Sequence, residues 1–231
     1  MEPSSRRPRF IGKKHFLFDL DGTLVDSTPV HARAYKKVLA LHSPERLASF
    51  EYEKLSGKTT RLAFTEMGFA GDAVDALVAL KQQAYLDAVA NGETMMFDGT
   101  RPLLVRLHEQ GLSAYLVTSA SKRSTERVLA SMHIHQLFRH IVTGDDVARG
   151  KPAPDGYASV VTKFGLDPSE ALVIEDAEAG VIAARDAGLE VACVNMRPAP
   201  DASFTNVLAT FPTLAAFHAT LETEWRVWGP R

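Results

Sequence analysis

Short apolar runs alternate with helix-period stretches along this chain. Phe16-Leu17-Phe18, residues 112–117, Ile141-Val142, Leu172-Val173-Ile174 and residues 191–194 are continuous apolar runs. Continuous runs predict strands covered on both faces, as in a parallel sheet. Between them, Leu103, Leu104 and Leu107 recur at helical spacing, as do Val128, Leu129 and Met132. Residues 177–187 are alanine-rich and close on Gly188, the residue type that ends helices. Strand–helix alternation of this kind predicts a doubly wound α/β sheet with right-handed crossovers.

One region breaks the rhythm. Residues 28–96 show no strand pattern, and segments 30–41, 61–67 and 73–89 are all helix-like. Three successive helices exceed what one crossover needs. They predict a helical cap (residues 28–96) inserted into an α/β core formed by residues 10–27 and 97–231. Hinges are expected near 26–29 and 96–99, where Pro and Gly interrupt. The 231 residues amount to roughly one and a half domains at ~150 residues each, which agrees.

Composition narrows the class. Hydrophobic residues make up 45% and charged residues 23%, ordinary values for a globular protein. The 26 basic and 28 acidic residues leave a net charge of −2, so no bulk positive charge points to nucleic acid. No apolar run approaches the ~20 residues that span a bilayer. Lys13, Lys14 and His15 interrupt the stretch after the basic cluster of Arg6, Arg7 and Arg9. We therefore expect no secretory leader, a solvated basic segment and a cytoplasmic location. Cys193 is the only cysteine. Inside an apolar run it reads as a small buried hydrophobe. His133 and His135 have no Cys or acid at zinc-ligand spacing and read as surface histidines. Trp225 and Trp228 are expected to pack on the core.

Candidate chemistry collects where the apolar runs end, the place where open α/β sheets bind ligands. Asp19 and Asp21 follow the first run, with Gly22 permitting a sharp turn. Two carboxylates so close repel unless a cation sits between them, an arrangement suited to Mg²⁺. A carboxylate beside a metal can also attack phosphorus and form an aspartyl-phosphate. After the second run come Ser119, Ser121, Lys122 and Arg123, a hydroxyl and charges suited to phosphoryl oxygens. Lys151 precedes Pro152-Ala153-Pro154, and an ammonium held in a stiff loop can neutralise a transferring phosphoryl group. Glu175 and Asp176 follow the buried fourth run, where acids are costly unless they bind something such as a metal. Singly, each signal has a bland reading as a capped turn or a surface loop. Together they supply the parts of phosphoryl transfer.

The set Asp19-Leu20-Asp21-Gly22-Thr23, Ser119, Lys151-Pro152 and Glu175-Asp176 resembles the haloacid dehalogenase superfamily, on its phosphatase branch. The resemblance runs from about residue 15 to 195. It implies a Rossmann-like parallel-sheet core with a mobile helical cap, and Mg²⁺ as cofactor. It further implies that Asp19 is the nucleophile and Asp21 the general acid and then base, with its backbone carbonyl on the metal. Asp176 would complete the metal ligands with Glu175 beside it. Ser119, or alternatively Thr118, would bind the phosphoryl group, and Lys151 would balance charge. Because Asp21 can give a proton to an alcohol, the resemblance implies a small-molecule phosphate monoester as substrate and the activity of a phosphoric monoester hydrolase.

Within that superfamily the chain looks most like sugar- and polyol-phosphate phosphatases. The β-phosphoglucomutases are the runner-up, because His31 and Lys81 sit where those mutases carry a His and a Lys. Ser121-Lys122 also resembles their second phosphate site. The mutase Arg is replaced by Thr60, with Arg61 one place later, which weakens that reading. Lys58, Thr60 and Arg61 remain candidates for substrate contact. A non-catalytic binding module is the third alternative, since fold alone does not fix function.

Overall fold

A computed structural model describes residues 9–55, 58–196 and 203–229. Arg6 and Arg7 lie outside those residues, as does the side chain of Trp228. In chain order the elements are β1 (His15–Phe18), β2 (Val25–Asp26), α1 (Thr28–His42), α2 (Thr60–Glu66), α3 (Asp72–Ala90) and β3 (Met95–Met96). There follow α4 (Thr100–Glu109), β4 (Ser113–Val117), α5 (Lys122–Ser131), β5 (His140–Val142), α6 (Asp155–Phe164) and β6 (Ala171–Glu175). The last four are α7 (Glu178–Asp186), β7 (Val191–Val194), β8 (Val207–Phe211) and α8 (Leu214–Trp228).

Six strands form one parallel sheet in the order β5-β4-β1-β6-β7-β8. The register pairs Phe18 of β1 with Leu116 of β4 and Ile174 of β6. Successive residues of β1 point to opposite faces. Phe16 and Phe18 enter a core with Leu104 of α4, Leu129 of α5 and Phe217 of α8. Leu17 enters a second core with Tyr157 and Val160 of α6 and Val181 of α7. Both faces are therefore covered, which is why the strands read as unbroken apolar runs. From β1 the chain builds outward through β4 and β5, then returns to β1 and builds the other way through β6. The strand order reverses at β1, and a crevice opens at its carboxyl end.

Helices α1, α2 and α3 carry a third core of Tyr35, Leu39, Phe64 and Leu77. This stretch also holds two short 3-10 turns, Pro44–Ser49 and Tyr52–Leu55. Thr59 caps α2 by accepting the Leu62 N–H, as Thr does at helix starts. Where hinges were expected, β2 and β3 pair antiparallel, Val25 with Met96 and Asp26 with Met95.

The structure adds elements that the sequence pattern does not predict. The stretch 28–96 holds the strand β3, whose two residues are too few to show any period. At the sheet edge, β8 and its helix α8 were not anticipated. In β8 only Ala209 is buried, so the strand lacks the continuous apolar signature of the inner ones. Trp225 of α8 packs edge-on against Phe16 at 6.5 Å between ring centres, as expected of a core residue.

Candidate active site

The strand ends converge. Asp19 follows β1, Ser119 follows β4, Lys151 lies in the loop after β5, Glu175 ends β6 and Asp176 follows it. All five, with Asp21, line one cleft of about 570 Å³. Lys58, Thr60, Arg61 and Lys81 line it from the helical stretch, and Ser121 from the start of α5. Lys122 is not among the lining residues. It opens α5 one place after Ser121, and successive helix positions diverge by ~100°. Its backbone N–H donates to Asp145 Oδ2 at 2.8 Å, and it borders a separate cavity with His135 and His140. Thr118 does not line the cleft either, and its hydroxyl accepts the Ala120 N–H. Of the two candidate hydroxyls, Ser119 is the one in the cleft.

Lys151 is the buried hub. Its ammonium donates to Asp19 Oδ1 at 2.5 Å, to Glu175 Oε1 at 2.6 Å and to the Val117 carbonyl at 2.9 Å. Glu175 is saturated. Its Oε1 also accepts from the Tyr157 hydroxyl at 3.0 Å, and its Oε2 accepts the N–H groups of Asp176 and Ala177. A Cβ at position 180 would lie 1.7 Å from Glu175 Oε1, so Gly180 makes room for this carboxylate. Sequence reasoning placed Glu175 beside the metal; the structure engages both of its oxygens with protein donors and makes it the counter-charge of Lys151.

The remaining charge is negative. Burial, with Glu175 and Asp21 nearby, raises the Asp19 carboxyl to about 8 despite Lys151. Burial, with Glu175 and Asp19 nearby, also lifts Asp176 well above the usual carboxylate range. Lys151 stays above the ordinary lysine value; burial opposes its charge, but Asp19 and Glu175 outweigh it. One oxygen each from Asp19, Glu175 and Asp176 lies within 4.8 Å of the others. An oxygen-only, charge-deficient cluster of this kind fits a hard divalent cation such as Mg²⁺. With Glu175 engaged elsewhere, Asp19 and Asp176 are the carboxylates suited to hold it. The Asp21 carboxylate stands apart from this cluster.

Asp21 has its own support. His31 Nε2 lies 3.3 Å from Asp21 Oδ1, and Lys81 Nζ lies 2.7 Å from His31 Nδ1. An ammonium can only donate, so Nδ1 accepts and Nε2 carries the proton that reaches Asp21. The His31 ring stacks on Tyr85 at 4.1 Å. Burial and the neighbouring Lys81 hold His31 below its ordinary pKa. Burial pulls Lys81 down to about 8. For Asp21, burial raises the carboxyl, but His31, Ser27 and Lys81 outweigh it, and the net shift is downward. His31 is not a lining residue of the cleft; it stands behind Asp21, which it reaches through Nε2.

The outer wall is more exposed. Lys58 pairs with Glu66 at 2.7 Å and Arg61 pairs with Asp75. The Thr60 hydroxyl accepts from Lys81 at 3.5 Å. Three contributors escaped sequence reasoning: Tyr157, Tyr85 and Thr23, whose hydroxyl donates to Asp176 Oδ1 at 3.0 Å. Only Thr23 carried a signal, by following the Asp21-Gly22 turn. Cys193 is buried at the end of β7, and burial pushes its thiol up to about 12, which leaves it unreactive.

Residues 16–194 match the family described as haloacid dehalogenase-like hydrolase. The chain belongs to that family. Among the hydrolase's curated relatives, validoxylamine A 7'-phosphate phosphatase of Streptomyces hygroscopicus subsp. limoneus is 34% identical over 188 residues, covering 80% of this chain and 86% of the relative. Hexitol phosphatase A of Escherichia coli is 33% identical over 186 residues, covering 79% and 83%. A solved hydrolase from Pseudomonas syringae shares the fold with a TM-score of 0.77 at 24% identity, covering 91% of this chain and 99% of that one. No helix among the hydrolase's described residues is long and apolar enough to cross a membrane.

Proposed function

We propose that this hydrolase cleaves a small sugar or polyol phosphate in two steps, through an aspartyl-phosphate on Asp19. The observation that carries the reading is the pairing of two differently treated carboxylates in one cleft. Asp19 is held by the Lys151 ammonium at 2.5 Å, while Asp21 is held by His31. Environments that separate two acids divide their labour. The names of the two phosphatase relatives support the substrate class.

In the first step Asp19 attacks phosphorus. Lys151 keeps the carboxylate aimed and offsets the charge of the phosphoryl oxygens, and Ser119 donates to one of them. Asp19 and Asp176, with the Asp21 backbone carbonyl, would hold Mg²⁺, which supplies positive charge opposite the phosphoryl group when bound. Asp21 rests as a carboxylate. A phosphoryl dianion arriving beside it raises its pKa by like-charge repulsion, so it gains a proton to give to the leaving alkoxide. In the second step the deprotonated Asp21 takes a proton from water, which attacks the phospho-aspartate. His31, fixed by Lys81, orients Asp21 in both steps. Residues 28–96 act as a cap, with Lys58, Thr60, Arg61 and Lys81 facing the substrate and excluding bulk water on closure.

The test is phosphate release from a panel of sorbitol 6-phosphate, glycerol 3-phosphate, phosphoglycolate and β-glucose 1-phosphate, with Mg²⁺ and with excess chelator. Release of inorganic phosphate that chelator abolishes is expected. Full activity in chelator would refute the metal-assisted scheme. Conversion of β-glucose 1-phosphate to glucose 6-phosphate without net release would assign a mutase instead.

A further inference from the structure

We infer that Asn195 is a positioning residue for the acid–base group Asp21. The inference rests on the two-step reading above and adds a residue to it. Asn195 follows β7, two strands from β1, and no motif points to it. Its backbone adopts φ 56°, a left-handed conformation that Asn tolerates better than most residues. That turn brings its amide back over the sheet end. Its Nδ2 donates to the Gly22 carbonyl at 2.7 Å and reaches the Thr23 carbonyl at 3.4 Å.

Those two carbonyls belong to the turn that carries Asp21. The opposite side of the same turn is pinned by Asp176. Thr23 Oγ1 donates to Asp176 Oδ1, and a Cβ at Gly22 would lie 2.0 Å from Asp176 Oδ2. The Gly22 N–H is spent within the turn, on the Val25 carbonyl at 2.8 Å. Asn195 therefore supplies the amide donor that closes the turn from the β7 side. Gly22 is buried, so without that amide its carbonyl loses a partner that little water can replace. The turn can then recover hydrogen bonds only by shifting, and Asp21 shifts with it. Asp19 is less affected, because its backbone is anchored separately on the Ile174 carbonyl at 3.0 Å and its carboxylate on Lys151.

This separation makes a selective test. Proton donation matters for an alkoxide leaving group and little for nitrophenolate, which departs unprotonated. The first-step rate is read as kcat/KM. Asn195→Gly keeps the left-handed backbone accessible and removes the amide; Asn195→Ser is a second variant with a polar side chain too short to reach. In either variant, kcat/KM toward the fastest aliphatic ester of the panel is expected to fall ~10- to 100-fold, the usual cost of losing a supporting hydrogen bond at such a site. Toward p-nitrophenyl phosphate it is expected to fall by less than about threefold. Equal losses on both esters, or no loss on the aliphatic one, would overturn the inference. A wild-type enzyme that releases phosphate from neither ester would overturn the functional reading itself, and this inference with it.

Discussion

Removing the Lys151 ammonium strands two acids. Lys151 is 7% exposed, Asp19 8% and Glu175 1%, so water cannot take over the lost contacts. In a Lys151→Met variant the methionine fills much of the volume but donates nothing. Taking one partner from a buried ion pair costs about 3–5 kcal/mol. For a chain of this size each kcal/mol moves the thermal midpoint by ~2–4 °C, so a fall of about 6–20 °C is expected in chelator at pH 7. Glu175→Gln in the same background removes the carboxylate left without its counter-charge. Its amide can then donate to the Tyr157 oxygen, while its carbonyl still accepts the Asp176 and Ala177 N–H groups. The double variant should therefore recover part of the loss, with a coupling of about 1–3 kcal/mol in a double-mutant cycle. The deficit of the single variant should also shrink as pH falls from 8 to 5. Without the ammonium, the buried Asp19 carboxyl binds a proton in the folded state more readily than in the unfolded chain, so lower pH favours the fold. Thermal melts of the four proteins across that pH range are the assay. Additivity within about 0.5 kcal/mol, or a deficit that grows at low pH, would refute the assignment of Glu175 as the counter-charge of Lys151.

Gly22→Ala puts a methyl group 2.0 Å from Asp176 Oδ2 at a φ of +92°, so Asp176 must move. The Mg²⁺ concentration giving half-maximal activity should rise at least ~10-fold, and an unchanged Mg²⁺ requirement would contradict the placement of Asp176. Metal binding should also expel a proton. With Asp19 raised to about 8, the metal-free carboxyl is largely protonated at pH 7. Mg²⁺ affinity should therefore climb by up to about tenfold per pH unit as pH rises toward 8. Calorimetry in buffers of different ionisation heat measures that proton, and a buffer-independent heat would contradict the crowded-carboxylate picture. Without metal, the Asp19 contribution to stability has the opposite slope: its raised folded-state pKa favours the fold below the unfolded value near 4, and that advantage is lost as pH rises through 8.

What the residues disclosed follows from where they sit. The inner strands were legible because both faces are covered, which leaves unbroken apolar runs, and the acids and Lys151 stood out against them. Strand β8 was not, because an edge strand with one buried residue, Ala209, has no such contrast. In the site, Asp19, Ser119 and Asp176 lie just past apolar runs and Lys151 in the loop after β5, and the sheet brings them together. Asp21 was legible, but its support was not: His31 and Lys81 stand 50 positions apart, and only resemblance linked them. Tyr157 and Asn195 gave no signal because each acts through long-range hydrogen bonds, and no local pattern encodes such partners. Lys122 lies off the cleft for a local reason. Ser121 and Lys122 are neighbours in sequence, yet the first turn of α5 sends them to different surfaces. Glu175 and Asp176 share one acidic cluster, and the hydrogen bonds that tie Glu175 to Lys151 and Tyr157 come from residues distant in sequence, which the adjacent pair could not disclose.

The central claim is that phosphorus passes through Asp19. It is tested most directly by rapid acid quench of the enzyme with p-nitrophenyl phosphate and Mg²⁺, followed by intact and peptide mass measurement. The expected result is one phosphoryl group on Asp19, labile to hydroxylamine. It should accumulate when Asp21→Asn removes the base for the second step, and disappear in Asp19→Asn together with turnover. Phosphate release at the wild-type rate by Asp19→Asn, or steady turnover by the wild type and accumulation of no phosphoenzyme in Asp21→Asn, would contradict it.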